Sequence, residues 1–214
     1  MTGDQRTDLA AEVADTPLIA MLTEPDSPSV PAVTEELGKS GIRAVEITLT
    51  SPGALDAVRR SVATGAALVG AGTVRDRETA RRAVDAGAHY LLTPGVLPEV
   101  LDEARTLGVP VVCGAFTTTE VMEAWRLGAA LVKLFPARLG GPAYLASLTM
   151  AFGDIPLVPT GGVTADDLTD YLAAGAHAVA LGRPLVGDAL HGGDLSGVRH
   201  RAGALLQCVR TARG

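Results

Sequence analysis

Seven glycines, each leading into a short apolar run, recur along the middle of this 214-residue chain. They are Gly41, Gly65, Gly87, Gly108, Gly128, Gly153 and Gly175, separated by 24, 22, 21, 20, 25 and 22 residues. Before most of them lies a segment with apolar residues at i, i+3 and i+4, the spacing of a half-buried helix. Residues 76–86, 97–107, 118–127 and 165–174 are such segments. Several carry start signals. The hydroxyls of Thr118 and Thr119 precede Glu120, and Thr164 is followed three residues later by Asp167, a capping-box-like pair. A glycine just past the last turn is the expected helix stop. Each unit therefore reads helix, glycine, strand.

A first apolar run at 17–22 adds an eighth strand. The runs are apolar along their length, as in parallel strands covered on both faces. Eight such units predict an α/β (β/α)8 TIM barrel as a single domain over 1–214, with 1–16 as an N-terminal extension and 187–214 as a helical tail. An open doubly wound sheet is the alternative, although it usually has fewer and less even units. A barrel of this kind accommodates a chain of ~200–250 residues.

The active site of such a barrel lies at the C-terminal strand ends and in the loops beyond them. Two charged residues there have apolar neighbours: Glu46 at the end of strand two and Lys133 at the end of strand six. Of the 18 basic residues only Lys39 and Lys133 are lysine, and only Lys133 lies in an apolar run. Burial penalises the ammonium form of a lysine. The neutral amine condenses with ketones to a Schiff base, and a nearby carboxylate can move protons for it. A structural Lys133–Glu46 ion pair is the competing reading. Gly161 and Gly162 after strand seven, and Gly182 after strand eight, stand where barrels often bind phosphate. Turn geometry alone is the competing reading there.

Other chemistries find little support. The net charge is −6, with no dominant basic patch, which disfavours nucleic acid and anionic membranes as partners. No apolar run approaches the ~20 residues of a membrane helix. The start of the chain lacks a signal-peptide layout, so the cytoplasm is the expected compartment. Cys113 and Cys208 have no metal or disulfide spacing, and no metal is expected. Cys113 reads as a buried, inert thiol. His89 and His177 follow Gly-Ala pairs at strand starts and read as structural, and His191 and His200 lie in the tail. The run 70–75 falls short of a dinucleotide fingerprint because Arg75 occupies its sixth position.

Five motifs in order, Glu46-Ile47-Thr48-Leu49, Gly70-Ala71-Gly72-Thr73-Val74, Thr93-Pro94-Gly95, Lys133-Leu134-Phe135-Pro136-Ala137 and Pro159-Thr160-Gly161-Gly162-Val163, resemble the 2-keto-3-deoxy-6-phosphogluconate (KDPG) / 4-hydroxy-2-oxoglutarate (KHG) aldolase family. The resemblance spans roughly residues 17–186. It implies a class I aldolase, needing no metal or other cofactor and usually homotrimeric. Such an enzyme reversibly cleaves a 2-keto-3-deoxy-6-phospho-sugar acid or 4-hydroxy-2-oxoglutarate to pyruvate and an aldehyde. By this resemblance Lys133 is the Schiff-base lysine and Glu46 the general acid/base. Thr73, Pro94 and Phe135 surround the pyruvate moiety, and Thr160, Gly161, Gly162 and Gly182 line the anion site.

Three positions depart from the family pattern. Thr23 stands where an arginine is common, Thr50 where Arg or Asn is common, and Arg183 where well-known members have the phosphate-site serine. Arg183, or Arg138 in the strand-six loop, could grip an anion bidentately. Arg183 as an exposed, solvated side chain is the competing reading. The departures leave open the same lysine chemistry on a non-phosphorylated 2-keto acid, and the structural reading of the Lys133–Glu46 pair leaves open a non-catalytic phosphate-binding barrel.

Overall fold

The computed structural model describes residues 3–24, 28–50 and 53–213, and the side chains of 3–8 and 213 are excluded from that description. Met1, Thr2 and Gly214, at the ends of the expected extension and tail, lie outside it. The chain opens with α1 (Gly3–Asp15) and β1 (Leu18–Leu22). The units that follow are α2 (Val30–Lys39) and β2 (Ala44–Thr48), α3 (Ala54–Val62) and β3 (Leu68–Gly72), and α4 (Arg77–Asp85) and β4 (Tyr90–Leu92). Next come α5 (Pro98–Leu107) and β5 (Val111–Ala115), α6 (Thr118–Arg126) and β6 (Leu131–Leu134), and α7 (Gly141–Ala151) and β7 (Leu157–Pro159). The chain ends with α8 (Leu168–Ala173), β8 (Val179–Leu181), the short α9 (Arg183–Val186) and α10 (Leu195–Arg213).

All ladders are parallel, and the strand order is β7-β6-β5-β4-β3-β2-β1-β8. β1 sits between β2 and β8, which brings the two ends of the sheet together. The His177 amide donates to the Leu157 carbonyl (2.9 Å) and the Thr160 hydroxyl to the Ala180 carbonyl (3.3 Å). These bonds join β7 to β8 and make a (β/α)8 barrel instead of an open sheet.

Side chains alternate across each strand. Leu18, Ala20, Val45, Ile47 and Val132 pack outward against the helices. Ile19, Ala44, Tyr90, Leu92, Val112, Leu131 and Val158 fill the interior, where Leu9 and Val13 of α1 join them. The first helix thus lies on the interior core at the end away from the strand C-termini. His177 Nε2 hydrogen-bonds the Ala10 carbonyl there (2.8 Å), and the Val69 amide donates to His89 Nδ1 (3.0 Å). Both histidines are structural, as the sequence predicts. α10 packs against α2, α8 and α9.

Six of the seven repeat glycines have positive φ, as a left-handed helix stop requires; Gly108 at φ 74° caps α5. Gly153 is the exception. α7 ends with Phe152 at φ −136°, and the chain leaves through a turn in which the Ile155 amide donates to the Phe152 carbonyl. Thr117 and Glu120 form a reciprocal capping box at α6, one residue earlier than expected. Thr164 and Asp167 also bond reciprocally, but they close a turn ahead of α8, which starts at Leu168 rather than Ala165.

Strand limits are the main correction. The apolar run after Gly41, at 42–47, is expected to be strand two, but the strand begins at Ala44; Gly70, Ala71 and Gly72, loop-like in sequence after the apolar run at 66–69, complete β3. Cys113, Gly114 and Ala115 likewise complete β5. Glycine is a poor strand former in sequence statistics, yet these positions face the interior, where space decides. A Cβ on Gly70 would stand 2.2 Å from Tyr90 Cε2. The Tyr90 ring lies over Gly70 so that its hydroxyl can donate to the Val45 carbonyl (2.8 Å). Gly70→Ala is therefore expected to lower stability by about 1–3 kcal/mol through overpacking. Urea unfolding checks this, and an unchanged midpoint would contradict it.

Candidate active site

Strand alternation turns Glu46 and Lys133 inward near the C-terminal ends of β2 and β6. Lys133 is 5% exposed and Glu46 2%. Their neighbours across the ladders are small: Gly70 beside Glu46 and Gly114 beside Lys133. A Cβ on Gly72 would stand 2.7 Å from Glu46 Oε1, so that glycine makes room for the carboxylate. Burial pushes the Glu46 carboxyl above the usual carboxylate range, and the nearby Lys133 charge opposes this only in part. The competing reading, a structural ion pair, is not met: among the described residues no salt bridge joins Lys133 to Glu46, and Glu46 Oε2 is buried with no hydrogen-bond partner there.

The other expected residues ring the same mouth. Lys133 Nζ lies 5.5 Å from the centre of the Phe135 ring, a distance at which a cation is attracted to the π face. Thr73 directly follows β3, where the Val74 amide donates to the Leu92 carbonyl (2.8 Å). Pro94 follows β4 and is exposed. Its loop is pinned to β5: the Gly114 amide donates to Thr93 Oγ1 (3.2 Å), which donates to the Gly95 carbonyl (2.8 Å). Cys113 is buried there, and burial raises its thiol pKa, which suits an inert role.

The β6 and β7 loops are laced together. The Ala137 amide donates to the Thr160 carbonyl (2.7 Å) and the Arg138 amide to the Gly161 carbonyl (3.1 Å). Gly161 (φ 85°) and Gly162 (φ 82°) have left-handed backbones. A Cβ on Gly161 would meet the Phe135 ring at 2.7 Å, and one on Gly162 would meet Arg138 Cδ at 2.5 Å. Turn geometry and close packing therefore account for both glycines. They also open the rim: a cavity of about 350 Å³ is lined by Thr23, Thr160, Gly161, Gly162, Gly182 and Arg183, among others. The Phe135 ring thus neighbours both Lys133 Nζ and Gly161, one of the cavity's lining residues. Arg183 and Arg138 are exposed, and among the described residues neither has a carboxylate partner.

Thr23 and Thr50, the other departures, are exposed at the ends of β1 and β2. His191 Nε2 lies 2.5 Å from Glu24 Oε2 and ties the β1 loop to the segment after α9. A larger hollow, about 520 Å³, lies at the opposite end between α1, His89 and Tyr90 and contains none of these residues. No cluster of His, Cys, Asp and Glu able to hold a metal occurs among the described residues. No helix there is long and apolar enough to cross a membrane.

Three contributors were not singled out from sequence. Met21 Sδ lies 2.9 Å from the Thr160 hydroxyl oxygen, and Thr93 anchors the Pro94 loop. The Thr48 hydroxyl is buried without a partner among the described residues. Thr48 had a signal, since it stands two residues after Glu46 and so on the same strand face.

A barrel mouth holding a buried amine and a buried carboxylate that feels its charge defines a class of enzyme able to work through imines. Comparison with known proteins narrows the class. A family model described as KDPG and KHG aldolase matches residues 9–200. The 2-dehydro-3-deoxy-phosphogluconate aldolase of Pseudomonas aeruginosa is 40% identical over 77% of this chain and 74% of its own. A probable 2-dehydro-3-deoxy-6-phosphogalactonate aldolase of Rhizobium meliloti is 34% identical over 92% of this chain and 93% of its own. Among solved structures, KDPG aldolase from Legionella pneumophila, with pyruvate captured as a covalent carbinolamine, superposes with a TM-score of 0.84. It is 28% identical, over 92% of this chain and 97% of that one. The chain belongs to the KDPG and KHG aldolase family and is an aldolase, a carbon–carbon lyase. A non-catalytic binding barrel is thereby set aside.

Proposed function

We propose that this aldolase cleaves a 2-keto-4-hydroxy acid through a Schiff base on Lys133, with Glu46 as the proton carrier. The observation that carries the reading is the pair of buried, inward-facing groups at one barrel mouth, the carboxyl having its affinity for a proton raised. The free amine of Lys133 attacks the C2 carbonyl, and Glu46 gives its proton to the departing hydroxyl, so that the carbinolamine loses water, an iminium ion forms and Glu46 is left as the carboxylate. Glu46 takes the proton from the C4 hydroxyl. The C3–C4 bond breaks, an aldehyde leaves, and the electron pair moves into an enamine and neutralises the iminium nitrogen. Glu46 returns its proton to C3, and hydrolysis releases pyruvate and the amine. In this reading Thr73, Pro94 and Phe135 bound the pyruvate part, supported for Phe135 by its ring lying 5.5 Å from Lys133 Nζ.

The substrate proposed is a 2-keto-3-deoxy-6-phospho-sugar acid or 4-hydroxy-2-oxoglutarate. Support for a phosphate comes from the rim cavity with Gly161, Gly162, Gly182 and Arg183. A guanidinium offers paired donors to phosphate. Arg183→Ser is expected to raise KM for the phosphorylated substrate roughly 10-fold and to leave KM for 4-hydroxy-2-oxoglutarate within about 2-fold. Steady-state kinetics on both substrates checks this. Equal KM values in variant and parent, with a parent that prefers the non-phosphorylated acid, would instead support the specialised keto-acid reading. We further propose a cytoplasmic homotrimer, in line with the family resemblance; a sedimentation mass other than three chains would contradict the assembly.

A further inference from the structure

The inward face of β2 carries Ala44, Glu46 and Thr48 in succession. Two oxygen atoms on this face, Glu46 Oε2 and Thr48 Oγ1, are buried and have no hydrogen-bond partner among the described residues. An unpartnered buried oxygen is costly, and native proteins hold few of them. Here the two belong to residues at consecutive inward positions of one strand, whose Cα atoms are about 7 Å apart along it. Their chemistry is complementary: a carboxylate oxygen only accepts, whereas a hydroxyl both donates and accepts. One O–H group seated between them would donate to Glu46 and accept from the Thr48 hydroxyl. Gly72 pairs with Thr48 in register, and its missing side chain leaves the Glu46 carboxylate uncrowded from that strand, since a Cβ there would stand 2.7 Å from Oε1. The β2 backbone is held firmly at this point, with the Leu49 amide donating to the Gly72 carbonyl. Thr48 lies on the mouth side of Glu46, toward the incoming substrate.

We propose that Thr48 is a positioning residue, whose hydroxyl, together with Glu46 Oε2, seats the O–H group that exchanges its proton with Glu46. This rests on the Schiff-base reading above. The O–H group has two sources, the C4 hydroxyl of the substrate or a water that relays the proton. In either case one proton leaves that oxygen for Glu46 in the cleavage direction and returns by the same path. Thr48 keeps its own proton and makes no covalent bond. A threonine is suited to the task because its branched Cβ restricts χ1 and so fixes the hydroxyl.

The test compares the parent with Thr48→Val, which keeps the shape and removes the hydroxyl, and Thr48→Ser, which keeps the hydroxyl. Three readouts are taken: borohydride trapping of pyruvate, exchange of the pyruvate methyl protons in D₂O, and cleavage kinetics. Thr48→Val is expected to trap pyruvate on Lys133 as the parent does. Its kcat for cleavage should fall roughly 10–100-fold, with KM within about 3-fold, while Thr48→Ser stays within about 3-fold of the parent in both. A fall in both exchange and cleavage identifies a relaying water. A fall in cleavage alone identifies the C4 hydroxyl, because pyruvate has none. The proposal is overturned if Thr48→Val keeps the parental kcat, or if only KM changes. Should Thr48→Val not fold, Thr48→Ala carries the same test. A parent that fails to trap pyruvate would overturn the Schiff-base reading itself, a result distinct from a trapping parent with an unimpaired Thr48→Val.

Discussion

Lys133→Ala is expected to lower kcat for cleavage by roughly 10⁴-fold or more, the scale on which removal of a covalent nucleophile registers. The covalent route needs an amine at this position, and the structure provides one lysine at the mouth. Lys39, the other lysine, is exposed on α2 and salt-bridged to Glu35 at 2.6 Å. Arginine is no replacement, because its guanidinium stays protonated and delocalised. Lys133→Arg should therefore be as inactive as Lys133→Ala, although it keeps a positive charge beside Glu46. That comparison separates a nucleophile from a structural cation. Purified variants assayed for pyruvate release check it. An active Lys133→Arg would show that charge alone is what the site requires.

Glu46→Gln is expected to lower kcat roughly 10²–10⁴-fold, the usual weight of general acid–base catalysis. The amide keeps the shape in the space left by Gly72 but carries no titratable proton. The pH profile gives an independent check. The basic form of Glu46 disappears as pH falls through its raised pKa, so the acid limb of kcat/KM should lie above the ordinary carboxylate range. In Glu46→Gln that limb should vanish. Stability should move the opposite way. A carboxyl with a raised folded pKa binds its proton more tightly in the folded state than in the unfolded one. Its cost to stability is absent at acid pH and appears as pH rises through the window between the ordinary and raised values. Thermal unfolding should thus show Glu46→Gln more stable than the parent at neutral pH, with the advantage gone at acid pH. A variant less stable at neutral pH would mean that the carboxylate is held for structure, not for proton transfer.

The barrel was legible because its signal is repeated. Six helix-stop glycines and the apolar runs after them report backbone geometry, which depends on local chemistry. The strand ends were less legible. Gly70, Gly72 and Gly114 look like loop residues in the chain, and only the crowding by Tyr90, Glu46 and Pro94 explains why they complete strands. At the site, Lys133 and Glu46 could be read from charge in apolar surroundings. Thr48 and Met21 could not be weighed in the same way, since their significance lies in what they do or do not touch. The glycines after β7 were only half legible. Their left-handed backbones follow from the residue type, but their contacts with Phe135 and Arg138 depend on how two loops meet.

The Schiff base itself is open to one direct measurement. The parent enzyme, mixed with pyruvate and reduced with borohydride, should gain the mass of one reduced pyruvate per chain, and peptide mapping should place it on Lys133. The chain has only two lysines, so the readout is close to binary. No mass gain, or a gain on Lys39 with Lys133 unmodified, would contradict the account.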